Sequence, residues 1–202
     1  EETTDEGGRE DAFKKLMNRT KFGSESLLFS IPVHEKHDII NNQIENILNN
    51  NPQCKIIIHA NRSFSDFNEQ YINYDNVYIN PNRLDYIWGN GLLNIHSNNF
   101  FEAIKLNINF DYFVLISSNE MFIKKGCIDY ISEYKNGIQL IEYDENNSWH
   151  NFNKKYDKLI NDQNIFNLLN YLNLKKLIGG QSEGQFFKKD VFQSITDIFL
   201  KF

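Results

Sequence analysis

The sequence predicts an α/β domain with a mostly parallel sheet flanked by helices, and three observations predict it. The first is residues 111–125, DYFVLISSNEMFIKK. Its run of Phe113, Val114, Leu115 and Ile116 has no polar alternation, as in a strand buried on both faces in the middle of a sheet. The second is the succession SLLFSIPV (26–33), a helical stretch, then KIIIHA (55–60). Strand, helix and strand within about 35 residues make a βαβ unit, with a parallel pair and a right-handed crossover. The third is that the apolar runs end in polar groups, which parallel strands place along one edge of the sheet, where ligands bind.

In chain order, residues 1–25 read as a tail or linker and 26–202 as the domain. The first ten residues are acidic with no apolar period, and 11–20 can form a short helix with Phe13, Leu16 and Met17 on one face. After the strand at 26–33, Asp38 caps a helix over 39–49, stopped by Pro52. The strand at 55–60 exits through Asn61 and Arg62. Residues 64–74 are a helix or an irregular connection, and 76–80 a short strand. Gly89 and Gly91 bracket a turn, and 92–108 is a helix with Leu93, Phe100, Phe101, Ile104 and Ile108 toward the core. After the central strand at 111–116, residues 121–123 return to the core and CIDYISEY (127–134) is a helix. A strand at 138–143, a polar loop at 144–155, a helix at 159–174, a short strand at 185–187 and a helix capped by Asp190 complete the chain.

Apolar residues make up 41% and aromatics 14% of the 202 residues, enough for one full core and too much for a disordered chain. The net charge of −6 argues against a nucleic-acid partner, which needs a basic face. Two cysteines, Cys54 and Cys127, exclude a four-cysteine zinc site. No apolar run reaches the length of a membrane helix, so the chain is expected to be soluble. Location stays open: cytoplasmic or, with an anchor removed ahead of Glu1, Golgi-lumenal. Oligomeric state is not legible. Roughly 30 residues are Asn, far above ordinary usage, so single Asn residues carry little functional signal.

The phosphate-binding glycine motifs G-x-G-x-x-G and G-x-x-x-x-G-K-[ST] are absent, as are the G-x-S-x-G elbow and the H-E-x-x-H helix. What stands out is a set of polar groups at strand exits: His34 and Glu35, Asn61 and Arg62, Arg83 and Asp85, Ser118 to Glu120, and Glu183. Either they line a cleft for a polar ligand, or they cap turns.

Four stretches resemble a known family. They are IPVH (31–34) before a helix, IIHAN (57–61), RLDYIWG (83–89), and DYFVLISSNEMFIK (111–124). The chain from about Leu27 to Phe202 looks like a glycosyltransferase of GT-A, Rossmann-like fold. It is most similar to the core-2/I-branching β-1,6-N-acetylglucosaminyltransferase and xylosyltransferase group. Where metal-dependent members carry Asp-x-Asp, this chain has Ser118, Asn119 and Glu120. The resemblance therefore implies one of two arrangements. Glu120 holds Mn2+ or Mg2+, or basic side chains (Lys124, Lys125, Lys188 or Lys189) neutralise the diphosphate, as in the branching group.

The resemblance implies transfer of a sugar, with inversion, from a UDP-linked nucleotide-sugar donor to a hydroxyl of a glycan or glycoprotein. His34, Asn61, Arg62, Arg83, Ser118, Asn119, Glu120 and Lys124 fall on the donor side, and Trp88 and Trp149 on the acceptor side. Inverting transfer needs a carboxylate to take the acceptor's proton. Glu183 fills that role, or a Glu-containing segment beyond Phe202 does. The other class of reading is a non-catalytic nucleotide- or glycan-binding module of a larger protein.

Overall fold

A computed structural model describes residues 25–86, 91–141, 161–174, 179–180 and 183–202. The expected tail at 1–25 lies outside them except for Glu25, as does the whole of the expected loop at 144–155. The described chain is α/β: a five-stranded sheet whose strands lie in the order 77–79, 55–60, 27–33, 112–115 and 185–188, with helices on both faces.

β1 (Leu27–Val33) is buried along its whole length and pairs in parallel with β2 (Lys55–Ala60) on one side and β4 (Tyr112–Leu115) on the other. β3 (Val77–Ile79) extends the parallel set beyond β2. β7 (Gln185–Lys188) pairs with β4 antiparallel, Leu115 opposite Gln185 and Tyr112 opposite Lys188. A separate antiparallel pair joins β5 (Leu140–Ile141) to β6 (Gly179–Gly180). The strands at 55–60 and 111–116 form as the sequence predicts because both faces of the sheet are covered. The apolar run then has no solvent side to interrupt it.

α1 (His37–Asn50) connects β1 to β2 and buries Ile40, Ile44 and Ile47 against Phe29, Ile31, Ile56 and Ile58. Each such side chain contributes about 1.5–3 kcal/mol on burial. The helix begins two residues before the expected start. Lys36 is its N-cap, and Asp38 lies in the first turn, where a carboxylate meets the positive end of the helix dipole. The β2–β3 connection is irregular apart from a 3-10 turn at Glu69–Tyr71, and packs on the same face through Phe64, Phe67, Ile72 and Tyr74.

α2 (Leu92–Lys105) connects β3 to β4 across the other face. It starts at Gly91, whose φ of 87° is left-handed and suits glycine. α5 (Lys189–Phe199) shares this face. Phe100, Phe110, Phe113, Phe187 and Phe192 form its aromatic core, with neighbouring ring centroids 4.6–6.1 Å apart. The α5 N-cap is Lys188, and Asp190 accepts from Val191 N inside the first turn. α3 (Cys127–Tyr134) forms over the predicted residues and lies on the α1 face, where Ile131 is buried. α4 (Gln163–Tyr171), capped by Asp162, buries Leu168.

Two expectations hold only in part. Residues 121–123 return to the core through Phe122 alone. Phe122 packs edge-on against Phe29, but Met121 is half exposed and Ile123 is 95% exposed. In α2, Leu93, Phe101 and Ile104 pack against the core as expected, though only partly buried, and His96 and Asn99 are buried on the sheet side as well, which the apolar pattern does not foresee.

That polar face meets a polar strand residue. Asn99 Nδ2 donates to Ser30 Oγ at 3.0 Å and to the Ile57 carbonyl at 3.3 Å, and Ser30 Oγ lies 2.8 Å from His96 Nδ1. Asn80 Nδ2 donates to Asn99 Oδ1 at 2.9 Å. Beside this seam, His59 Nε2 accepts the Leu84 N–H at 2.8 Å, so its proton sits on Nδ1. That Nδ1 has no hydrogen-bond partner among the described residues. Burial lowers both imidazoles. His59 falls to about 4, with the nearby Arg83 charge adding to the effect, and His96 to about 3, with His59 adding.

Candidate functional site

The strand order creates the site. From β1 the chain moves outward to β2 and β3 on one side, then crosses back to β4 on the other. Its connections therefore leave on opposite faces at the β1–β4 junction. Such a switch point opens a crevice at the carboxyl ends of the strands. A cleft of about 290 Å³ lies there, lined by Pro32, His34, Asn61, Ser63, Tyr86, Leu92, Ser117, Ser118 and Glu183.

Four of the expected residues thus come together: His34 from β1, Asn61 from β2, Ser118 from β4, and Glu183. Glu183 arrives by a route the sequence does not announce. It enters the five-stranded sheet ahead of β7 rather than leaving it, and reaches this edge because β7 runs antiparallel. The Gly184 N–H donates to the Leu115 carbonyl at 2.8 Å, which fixes the approach to the end of β4.

The other expected residues divide. Arg83 is a clamp: Nε donates to the Ala60 carbonyl and Nη2 to the carbonyls of Asn61 and Phe64, while the guanidinium lies 5.5 Å over the Phe67 ring. Asn61 is likewise committed, with Nδ2 on the Tyr86 carbonyl and Oδ1 accepting from Ser63 N and Oγ. Arg62 donates through Nε to the Arg83 carbonyl and lies 3.9 Å from Asp85, with its side chain 63% exposed. Asn119 and Lys124 are exposed and do not line the cleft. Trp88 and Trp149 lie outside the described residues.

Glu120 folds back on its own turn, Oε2 accepting the Ser117 N–H at 2.8 Å. Burial raises its carboxyl above the ordinary range. The Ser117 N–H opposes that rise, and the charge of Glu183 adds to it. Among the described residues no cluster of three His, Cys, Asp or Glu is placed to hold a metal ion. Lys188 and Lys189, considered for the diphosphate, line a depression of about 460 Å³ with Asp111, Asp190 and Gln193. It lies at the opposite edge, because antiparallel β7 ends there. Although larger, it is on the side of a parallel sheet that ligands do not use.

Several residues of the site carried no role in the sequence reading. Tyr86 was visible within RLDYIWG, but its place as a cleft wall was not. Burial and the Glu35 charge push its phenol up to about 12. Gln43 and Asn46 on α1 strap down the chain after β4. Gln43 Nε2 donates to the carbonyls of Ser117 and Glu120. Asn46 donates to the Phe122 carbonyl at 3.0 Å and accepts its N–H at 2.7 Å. Their three-residue spacing on one helix face was the available signal. No helix among the described residues is long and apolar enough to cross a membrane. Against known proteins, no family model matches the chain, and none of the curated proteins does.

Proposed function

We propose that the chain is a glycosyltransferase of GT-A type, moving a sugar from a UDP-linked donor to a hydroxyl of a glycan or glycoprotein with inversion. One observation carries the reading. The switch-point cleft gathers His34, Asn61, Ser118 and Glu183 from separate elements into one polar space of about 290 Å³. The hydroxyls of Ser63, Tyr86, Ser117 and Ser118 are uncharged hydrogen-bonding groups that suit a ligand rich in hydroxyls. Glu183 is the carboxylate of the cleft lining, and in this reading it takes the acceptor's proton.

Release of UDP from UDP-glucose, UDP-N-acetylglucosamine and UDP-xylose, each with Mn2+ and with EDTA, tests the reading. Glu183→Gln is expected to lose transfer while UDP still raises the melting temperature. Full turnover in that variant removes Glu183 as the base, and absence of any nucleotide effect on the wild type removes the reading. The binding-module reading is favoured by the commitment of Arg83 to backbone carbonyls, which takes a cation away from a diphosphate. It predicts stabilisation by UDP without release from any donor.

A further inference from the structure

A line of polar contacts crosses the cleft from the β3–α2 connection to the β4 exit. The Tyr86 hydroxyl lies 3.3 Å from His34 Nδ1. His34 Nε2 lies 3.4 Å from Glu35 Oε1. Ser118 Oγ donates to that same carboxylate oxygen at 3.4 Å.

Chemistry sets the direction of each contact. An ionised carboxylate only accepts, so the neutral imidazole carries its proton on Nε2 toward Glu35. Nδ1 then holds the lone pair and accepts the phenol proton, which Tyr86 retains. A second proton, on Nδ1, makes the ring a cation paired with Glu35. A carboxylate, an imidazole and a hydroxyl in series are the parts by which proteins orient a histidine for proton transfer.

The cleft also has a charge to answer. A departing nucleoside diphosphate accumulates negative charge as its bond to the sugar breaks. Arg83 is committed to backbone carbonyls, Arg62 is paired with Asp85, and Lys124 and Lys125 are exposed away from the lining. Among the described residues lining the cleft, His34 is the side chain able to carry positive charge.

We propose that His34, oriented by Glu35, is the general acid of the cleft and hands its Nδ1 proton to the departing phosphate oxygen of the donor. The proposal rests on the transfer reading above. The acceptor oxygen bonds to the sugar's anomeric carbon, and its proton passes to Glu183. The bond from that carbon to the phosphate oxygen breaks. The oxygen keeps the electron pair and takes the proton from His34, leaving a neutral imidazole. Solvent recharges the ring, whose side chain is 58% exposed. Tyr86 holds the ring from the far side until the donor displaces it.

The test is UDP release by the full chain as a function of pH, for wild type, His34→Gln and Glu35→Gln, with UDP binding followed separately by thermal shift. The titratable groups facing His34 are Glu35 beside it, Tyr86 across it and Glu183 in the same cleft, so the assignment depends on the shape of the profile as well as the rate. The wild type is expected to lose activity on the alkaline side. His34→Gln is expected to lose that limb and about 100-fold in kcat, with KM and the UDP shift changed no more than a few-fold. Glu35→Gln is expected to lower kcat, with KM and the UDP shift changed no more than a few-fold, because it frees the ring without removing it. A His34→Gln rate within about threefold of wild type, against that expected loss, or an alkaline limb that survives in it, overturns the proposal and leaves the transfer reading standing. A wild type that binds no UDP and releases none overturns both.

Discussion

Acid should unfold this protein through two histidines that lie far from its surface. His59 and His96 are 0% and 2% exposed, and burial takes them from 6.5 to about 4 and about 3. Between pH 6.5 and 4 the unfolded chain therefore binds protons that the folded chain refuses. The stability these groups supply is complete above about pH 6.5 and drains away as pH falls toward the folded values. At 1.36 kcal/mol per unit, the shifts correspond to about 3 kcal/mol for His59 and about 5 kcal/mol for His96. By pH 4 each histidine has given up about 3 kcal/mol, a large part of the about 5–15 kcal/mol by which domains are commonly stable. Glu120 acts in the opposite sense. Its raised carboxyl contributes stability that is present at low pH and lost as pH rises through its folded value, offsetting part of the trend. Urea unfolding at pH 7.5, 6.5, 5.5 and 4.5 reads the effect. The slope should approach about 1.4 kcal/mol per pH unit for each histidine in the steep part. In the double variant His59→Gln/His96→Gln the slope should largely vanish, whatever the change in absolute stability. A wild type equally stable at pH 7.5 and 4.5, or a double variant with the wild-type slope, refutes the reasoning.

Other substitutions probe the scaffold of the cleft. Arg83→Lys should cost about 1.5–3 kcal/mol, since a lysine cannot reach three carbonyls from one planar group; a melting temperature unchanged from wild type would contradict the clamp. Asn46→Ala removes both hydrogen bonds to the Phe122 backbone and should cost about 1–3 kcal/mol. Hydrogen exchange at the Phe122 amide should accelerate, and unchanged protection there would show that the strap is not needed. Gly137→Ala sets a methyl against the Phe186 ring, with which Gly137 forms a β-bridge. Overpacking of this kind costs about 1–3 kcal/mol, and a neutral result in chemical denaturation would mean that the ring has room to move.

What was legible in the sequence follows from what composition encodes. KIIIHA and CIDYISEY gave their elements to the residue, because an apolar run or a helical period there is bounded by strong breakers. The cleft edge was legible for the same reason, since polar residues closing apolar runs mark strand ends. The seam under α2 was not. LLNIHSNNFFEAIK reads as apolar residues in and polar residues out, whereas Ser30 on β1 draws His96 and Asn99 inward. Only the pairing of distant residues reveals that match. The direction of β7 was hidden likewise: QFFK has the same pattern in either sense, and Glu183 reaches the cleft only because the strand runs backward. Asn46 was lost in the general excess of asparagine, although its side chain pairs with a backbone much as a neighbouring strand would.

The reversed strand has a consequence for how this fold can change. The chain leaves the sheet at Leu115 and rejoins it at Gln185, and the hydrogen bond from Gly184 N to the Leu115 carbonyl pinches the two ends together. Between these two points the chain adds no strand to the five-stranded sheet among the described residues, touching β7 only where Gly137 bridges Phe186, and its departure and return both open on the cleft. Lengthening such an excursion costs little entropy once its ends are held, because the penalty grows only with the logarithm of length. The paired strands on either side need not notice. New sequence inserted there would alter what the cleft can hold while the strand register stays as it is, so the ligand preference of this scaffold can diverge faster than its architecture.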